Sequence, residues 1–490
     1  MIVVAVLLSS MVVVGAWFEK RQTGTQEFFL GSRNVPWWAA CLSFVATEVS
    51  AVTIISVPAT AYRENWEYLQ FFIGSAAARL IITYLFIPAF YRFNCTTIYE
   101  FLGMRFGRLT QTTASLFFFV TRLMGSGVRL MAACLAISVL MGWHILPVIV
   151  SFILISVVYT GLGGMRAVIW TNVIQAVVFI AGGLTTIAFL LHKIDGGITT
   201  VMHVAGGAGK LDVMKWGPRL SELDSWTAIM SDPNIWWLAI LNGLFGSMAA
   251  FGTDQDLMQR LLTVETRRES QRTMALTIPT SLSVLLIHLC IGAGLYVFYL
   301  QNPALPLPAK LDAIFPHFIG HVMPPVMRGV LLSAIVLASI DSPLASLATS
   351  FVTDIYKPLR PGLPDGTYLR VSRWCVAAFG AILAALAYAL SFFDQILWLA
   401  FKIGGVTFGS LLGVFLLGLL TQRRSNRANA WSMVASAMLM LVLLVLSEKK
   451  ILPVGWSWLV IWGTVLTFAG GLLLAPLLDQ GIPAGSDRRE

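Results

Sequence analysis

Residues 46–58 read ATEVSAVTIISVP, and they interrupt an apolar run that extends from residue 34 to residue 62. A second interrupted run, 234–258, carries an asparagine, three glycines and an aspartate between residues 242 and 254. Polar side chains, glycine and proline at corresponding places in two halves of a chain are typical of discontinuous membrane helices. The alternative interpretation is ordinary close packing of helices through glycine and serine.

The composition indicates that the chain is surrounded by lipid. Of its 490 residues, 57% are hydrophobic and only 12% are charged, roughly half the charged fraction of a soluble domain. A membrane-spanning helix needs about 20 apolar residues, and about thirteen such runs can be counted. In order, they lie at 1–18, 34–62, 67–93, 109–141, 144–161, 165–192, 234–258, 271–300, 326–351, 366–391, 394–421, 428–447 and 451–476. We therefore expect an all-α membrane protein with about 13 transmembrane helices.

The basic residues predict the orientation of these helices. The net charge of +9 comes from Lys and Arg in short loops between the apolar runs, a pattern that does not favour nucleic-acid binding. About 20 of the 33 Lys and Arg follow odd-numbered runs or lie in the C-terminal tail, and cytoplasmic loops carry this kind of excess. The sequence therefore predicts a multi-pass protein of the cell membrane (plasma or inner), with its N-terminus outside and its C-terminus in the cytoplasm.

The runs also divide into two units of equal helix number. Runs two to six form the first repeat, 34–192, and runs seven to eleven form the second, 234–421. An odd number of spans in each repeat inverts the second relative to the first. Residues 1–18 and 428–476 then supply accessory helices, and 1–490 is expected to be a single transmembrane domain.

Five segments resemble motifs of the sodium:solute symporter family, in the same order and at similar spacings. They are GSRNVPWWAACLSFVATEVSAVTIISVPATAY (31–62), TTIYEFLGMRFG (96–107), YTGLGGMRAVIWTNVIQ (159–175), TDQDLMQR (253–260) and IGGVTFGSLLGVFLLGLL (403–420). The second run is most similar to bacterial sialic acid symporters. The ninth run is more similar to the iodide and monocarboxylate branch.

This resemblance implies a LeuT-type fold with inverted five-helix repeats and sodium as the co-transported ion. It implies symport of a small organic solute into the cytoplasm by alternating access. The solute would be a sugar, a sugar acid such as sialic acid, or a monocarboxylate, with no obligatory protein partner. The implied sodium site combines the backbone carbonyls of Ala46, Val49 and Ala338 with the side chains of Asp341 and Ser342.

Two residues depart from the family pattern. Asp341 stands where the family usually has Ser or Thr, and Asn172 stands where it has an aspartate that can serve an additional sodium site. A carboxylate within the membrane is a functional candidate by default. Our hypothesis is that Asp341 strengthens the sodium site or couples transport to protons. A structural pairing of Asp341 with a buried Arg stays open, as does a proton-coupled or sodium-independent transporter of the same fold.

The implied substrate site keeps some family positions and changes others. Ser50 and Thr53 retain hydroxyl groups, and Tyr68 retains an aromatic ring. Glu48 stands at a third hydroxyl position, and Phe72 replaces an amide side chain. The resemblance therefore identifies the place where the substrate binds but leaves its identity open.

The Arg that binds the substrate carboxylate in sialic acid symporters corresponds to Gly125 here. Arg122 and Arg129 lie on the same helix face, three residues before and four residues after Gly125. Because Arg can bind a carboxylate through two N–H groups, Arg129 is kept as a substrate candidate. The alternatives for both arginines are snorkelling to the membrane surface and pairing with Glu48 or Asp341.

The motif at 253–260 predicts a structural or gating network near the cytoplasmic end of the seventh run, formed by Asp254, Gln255, Gln259 and Arg260. Two other function classes are less consistent with the sequence. A membrane enzyme needs a nucleophile and base or a metal cluster, and a sensor usually needs a large cytoplasmic domain. Neither feature is evident, so we expect a transporter and not an enzyme.

Overall fold

The computed structural model describes residues 24–49, 51–141, 143–217, 225–232, 234–308, 313–340, 343–392 and 396–479. Of the first predicted run, it describes only Ser9, Val13 and Trp17, so the helix expected at 1–18 lies outside the described residues. Within the described residues the protein is all-helical and contains no strand. Each predicted run from the second to the thirteenth contains helix.

The helices are numbered here in chain order. They are α1 (Thr25–Leu30, followed by a 3-10 turn at Gly31–Arg33), α2 (Trp37–Glu48), α3 (Ala51–Arg63), α4 (Tyr68–Arg92, with a π-helical turn at Ile82–Phe86), α5 (Ile98–Phe106), α6 (Arg108–Met141), α7 (Ile145–Lys193), α8 (Gly197–Gly207), α9 (Ser225–Ser231), α10 (Trp236–Gly252), α11 (Gln255–Leu262), α12 (Arg267–Gln301), α13 (Ile314–His321), α14 (Pro325–Ile340), α15 (Leu344–Ser350, continuing through a π-helical turn at Phe351–Tyr356 to Lys357–Leu359), α16 (Asp365–Leu390), α17 (Ile396–Leu420), α18 (Arg427–Glu448) and α19 (Ser457–Leu478).

Both runs that were predicted to be discontinuous are broken. Helices α2 and α3 meet at an angle of 61°, and Val49 at the end of α2 has an extended backbone (φ −80°, ψ 102°). Helices α10 and α11 are separated by Thr253 and Asp254, and Asp254 is also extended (φ −98°, ψ 120°). The prediction of a broken span is therefore confirmed for the run 34–62, whereas in the run 234–258 the span ends at Gly252 and the interruption precedes the short helix α11.

Helix α7 contains two membrane spans. Its 49 residues would extend about 74 Å at 1.5 Å per residue, more than twice the thickness of the hydrocarbon core. Gly164 interrupts it with φ 57° and ψ −152°, a combination that residues with a Cβ atom rarely adopt. The fifth and sixth runs are thus joined by one glycine, without a loop.

The loops lie at the two ends that the runs predict. Segments that follow or border odd-numbered runs are hydrogen-bonded to one another at one end: Thr25 to Asp365, Arg33 to Cys95, Tyr91 to Leu261, and Thr110 to Asn426. Segments that follow even-numbered runs meet at the other end: Lys210 with Arg63, Asp195 with Gln301, and Gly455 with Met230. The identification of the first end as cytoplasmic rests on the charge distribution and stays a prediction.

Helices α4 and α10 cross with their backbones in contact. A Cβ atom on Gly243 would overlap the carbonyl oxygen of Phe71, and a Cβ atom on Gly74 would overlap the carbonyl oxygen of Ile240. Small residues at such crossings allow membrane helices to approach closely and gain van der Waals contact. This crossing fixes α4, which carries the candidate substrate residues Tyr68 and Phe72, against α10.

We expect Gly243→Ala to destabilise the protein by about 1–3 kcal/mol, because the added methyl group must push two backbones apart. Gly246 lies one turn further along α10, and a Cβ atom there would meet only the side chain of Asn242 at 3.5 Å. Gly246→Ala is therefore the matched control. Thermal unfolding of both purified variants in detergent checks the prediction, which is wrong if their melting temperatures fall equally.

Candidate functional site

The break between α2 and α3 forms the centre of the candidate site. Ala46 and Val49 are buried, in a cluster that includes Ala176 from α7 and Ala334 and Ile335 from α14. The carbonyl groups in the last turn of a helix have no intrahelical partner. Oxygen atoms of this kind suit a hard cation such as sodium. Two predicted sodium ligands therefore lie in the same buried cluster as residues of α14, the helix that contains the backbone of Ala338.

Three of the predicted site residues are not covered by the structure. Asp341 and Ser342 lie outside the described residues, between α14 and α15, and Ser50 lies outside them at the break itself. The chain continues with helix on both sides of each gap. Their roles in sodium and substrate binding stay predictions.

Asn172 contacts the C-terminal half of α2. Its amide is best satisfied with the oxygen toward Arg260 Nη2 at 3.2 Å and toward Thr47 Oγ1 at 3.0 Å, and with the nitrogen donating to the Val168 carbonyl at 3.2 Å. Arg260 is fully buried and also donates to Ser43 Oγ at 3.2 Å. A cation at this position would lie beside a guanidinium group, which is unfavourable in a low-dielectric interior.

Glu48, the last residue of α2, is held in a partly buried ion pair. Its Oε1 accepts from Arg79 Nη2, and its Oε2 accepts from Ser281 Oγ at 2.7 Å. Arg79 also donates through Nη1 to Thr277 Oγ1 at 2.8 Å and to Ser281 Oγ at 3.3 Å. Since Arg79 belongs to α4 and both hydroxyls belong to α12, the pair connects the first break to two neighbouring helices.

Three aromatic rings surround the guanidinium of Arg79. Its central carbon lies 4.6 Å from the ring centroid of Phe251, 5.8 Å from that of Phe72 and 5.9 Å from that of Phe44. Arg79 is completely buried, whereas the side chain of Glu48 is 22% exposed. The predicted substrate residues Glu48 and Phe72 are thus brought together, by an Arg that was not among the predicted site residues.

The other predicted substrate residues are distributed around this pair. Thr53 is half-buried in α3, beyond the break. Tyr68 at the start of α4 is about half-exposed and stacks on Phe71 with ring centroids 5.7 Å apart. A Cβ atom on Gly125 would meet no atom of the described residues within 4 Å, so none of them fills the position on α6 where the family's Arg would stand.

The arginines of α6 do not pair with Glu48. Arg122 instead contacts two carboxylates at the second break, with Nη1 3.4 Å from Asp254 Oδ2 and Nη2 bonded to Asp256 Oδ2. Arg129 is exposed and lies within electrostatic range of Asp254. Arg122 therefore belongs to the predicted gating network, and the role of Arg129 in substrate binding stays a prediction.

The second break is enclosed by a buried charge cluster. Asp256 Oδ1 accepts from Arg260 Nη1 at 3.0 Å and from Ser346 Oγ of α15 at 3.0 Å. Asp254 caps α11 by accepting from the backbone N–H of Asp256 at 2.8 Å. The cluster consists of Arg122, Asp254, Asp256, Arg260 and Ser346, and we call it the inner cluster.

Two glutamines of the predicted network extend the contacts of the inner cluster. Gln255 Oε1 accepts from the backbone N–H of Ile98 at 2.9 Å. Gln259 Nε2 donates to the Phe29 carbonyl at 2.6 Å and to Thr349 Oγ1 at 2.9 Å. These bonds tie α11 to α1, α5 and α15 at the end of the molecule that the charge distribution assigns to the cytoplasm.

Three acidic or basic residues with central positions were not predicted from the sequence: Arg79, Asp256 and Asp354. Asp354 accepts from Thr97 Oγ1 at 2.6 Å and Ser350 Oγ at 2.6 Å. Buried charges within a membrane protein are functional candidates, and that rule alone would have selected Arg79. Nothing in the sequence identified their partners.

Known proteins match this chain over most of its length. The profile of the sodium:solute symporter family matches residues 28–444. The chain is 30% identical to the sodium/sialic acid symporter SiaT of Proteus mirabilis, with 96% of this chain and 93% of that protein covered. It is 25% identical to the mouse sodium-coupled monocarboxylate transporter 2, with 83% of this chain and 65% of that protein covered.

Solved structures show the same architecture. A sodium-coupled sialic acid symporter in a substrate-bound, outward-open state superposes with a TM-score of 0.84 at 27% sequence identity, and 97% of each chain is covered. A nucleobase-cation-symport-1 transporter in a closed conformation matches with a TM-score of 0.50 at 16% identity, covering 90% of this chain and 92% of that one. The fold is therefore all-α and of the LeuT type.

We expect Asp256→Ala to lower the free energy of unfolding by about 3–5 kcal/mol, because Arg122 and Arg260 would lose a shared buried carboxylate. The control is Glu64→Ala, which removes an exposed pair with Arg63 and should change the free energy by less than about 1 kcal/mol. Denaturant or thermal unfolding in detergent measures both. Equal losses in the two variants would contradict the prediction.

Proposed function

The chain belongs to the sodium:solute symporter family, and we propose where this multi-pass membrane protein binds the sodium ion that it carries together with a small organic solute. The proposed ligands are the carbonyls of Ala46, Val49 and Ala338 with the side chains of Asp341 and Ser342. The observation that carries the proposal is the 61° break between α2 and α3. It lies in one buried cluster with residues of α14, and the end of a helix at such a position is where backbone carbonyls without an intrahelical partner are expected.

We propose that the solute binds beside this ion, on the part of the break that carries Glu48, Thr53 and Phe72. The relatives named above transport sialic acid or monocarboxylates. For this chain a sugar, a sugar acid and a monocarboxylate all fit a site that combines hydroxyl, aromatic and charged groups. The protein acts as a transporter and not as an enzyme, and it needs neither nucleic acid nor an obligatory protein partner.

Transport then follows alternating access. Sodium binding stabilises the state that is open to the outside, and the solute binds next. The inner cluster holds α11 against α6 and α15, so its charge pairs must separate before the solute can leave toward the cytoplasm. A membrane potential of 100 mV contributes about 2.3 kcal/mol for each net charge that moves inward.

A second candidate function is proton-coupled or sodium-independent transport with the same fold. Two observations favour it as an alternative. The neutral Asn172 contacts the buried guanidinium of Arg260, so this position offers no carboxylate to an additional sodium ion. Asp341 adds an ionisable group to the remaining site. Solute counterflow in proteoliposomes, with sodium replaced by choline and with pH gradients dissipated, separates the two mechanisms.

We expect Asp341→Ala to weaken the apparent sodium affinity by roughly tenfold or more, because a charged oxygen ligand is lost. Asp341→Ser should weaken it less, since a hydroxyl oxygen remains. Sodium-dependent thermal stabilisation of the purified protein measures both effects without knowledge of the solute.

The matched control for this prediction is Asp195→Asn, in the loop at the opposite end from the inner cluster. If both Asp341 variants bind sodium as tightly as the unchanged protein does, Asp341 is not a sodium ligand. If the affinity instead becomes independent of pH in these variants alone, Asp341 carries the coupled proton.

A further inference from the structure

The ion pair between Glu48 and Arg79 has an asymmetry that points to a ligand. Arg79 is completely buried, yet its partner Glu48 is 22% exposed. The carboxylate therefore separates the guanidinium from accessible space at the break. Removing the carboxylate would open a route to a positive charge that is already surrounded by protein.

The residues around the guanidinium of Arg79 do not satisfy all of its N–H groups. Nη1 contacts two hydroxyl groups and Nη2 contacts Glu48. Its Nε atom is buried and has no hydrogen-bond partner among the residues that the structure describes. A guanidinium can bind a carboxylate through two parallel N–H groups, but Glu48 uses its second oxygen to accept from Ser281 Oγ instead. The pair is therefore short of the bidentate geometry that a free carboxylate could adopt.

Other arginines near the two breaks are held by their own partners. Arg122 and Arg260 both bond to Asp256 in the inner cluster. Arg129 lies on the exposed surface of α6, within electrostatic range of Asp254. Arg79 is the arginine whose partner lies directly at the α2–α3 break, because Glu48 precedes the extended residue Val49.

We propose that the carboxylate of an organic-acid substrate replaces the carboxylate of Glu48 on Arg79. The side chain of Glu48 then occupies the anion site on Arg79 while the substrate is absent. The substrate class is a carboxylic acid. This inference rests on the proposed function and narrows its substrate. A neutral sugar would have no reason to displace Glu48.

The charges support an exchange of this kind. Glu48 and Arg79 neutralise each other in the empty site. Joint entry of one sodium ion and one substrate carboxylate leaves the net charge of the site unchanged, with the proposed ligand Asp341 included, so neither ion adds an unbalanced charge to a medium of low dielectric constant. Because Val49 follows Glu48 directly, displacement of Glu48 also moves a proposed sodium ligand, which would couple the two binding events.

The test compares acids with their uncharged analogues in variants of the pair. Glu48→Gln keeps the shape of the side chain but removes its charge, so Arg79 should bind external carboxylates more tightly. Arg79→Lys keeps the charge that holds Glu48 but loses the planar arrangement of N–H groups. Acetate, pyruvate and N-acetylneuraminate are the acid probes, and acetamide, pyruvamide and the methyl ester of N-acetylneuraminate are their controls.

The measurement is the ligand-dependent shift in melting temperature of the purified protein in sodium and in choline. In sodium, Glu48→Gln should raise the affinity ratio of acid to uncharged analogue by roughly tenfold, and Arg79→Lys should lower it. A merely structural pair would change stability in both variants without changing this ratio. Glu48→Gln alone decides the question if Arg79→Lys does not fold.

Two results would overturn the proposal: an unchanged ratio in Glu48→Gln, or the failure of every acid to stabilise that variant in sodium. Neither result bears on sodium binding itself, which is measured by the stabilisation of the unchanged protein by sodium without solute. Loss of that stabilisation would instead contradict the proposed sodium coupling.

Discussion

A helix that is broken inside a bilayer leaves backbone N–H and C=O groups that no water can satisfy, and the rest of this structure depends on how those groups are enclosed. The first break, at Val49, is covered by α7 and α14. At the second, Tyr99 donates to the Thr253 carbonyl at 3.0 Å, and the Asp254 side chain caps the next helix. Helix α5 therefore satisfies a backbone group at the second break, while α7 and α14 enclose the first break by apolar packing.

Each break also concentrates charge, and the charges are neutralised across helices. Glu48 at the first break is paired with α4, and Asp256 at the second is paired with Arg122 of α6 and Arg260 of its own helix. Separating such pairs in a medium of low dielectric constant is costly. A change of conformation must therefore exchange one set of partners for another, which favours a few discrete states over continuous deformation.

The sequence was most informative where a residue type conflicted with its surroundings. Thr47, Glu48 and Pro58 in an apolar run predicted the first broken helix, and the alternation of runs predicted which loops share an end. The partners of the charged residues were not predictable in this way. Arg79 and Glu48 are 31 positions apart, and Arg122 and Asp256 are 134 apart, so their pairing depends on helix crossings that one sequence does not encode locally.

The structure therefore places only some of the predicted site residues at the two breaks, and their roles stay predictions. Ala46, Val49 and the four polar residues of the 253–260 motif lie at the breaks, because a broken helix requires such groups there. The substrate-binding residues were harder to predict, since they depend on which side chains fill the space beside the first break. Phe72 was identified at this place by resemblance, and its contact with the guanidinium of Arg79 is made within α4, where the two residues lie two turns apart.

The single glycine that joins the two spans of α7 has a mechanical consequence. A loop between two helices can absorb their relative displacement, but the two spans of α7 are joined by Gly164 alone. The span before Gly164 packs through Val157 against Gly380 of α16. The span after it contacts α2 through the pair Asn172 and Thr47. A tilt of either span at this end must therefore be transmitted to the other span, and the two spans pivot together about Gly164, a residue without a side chain.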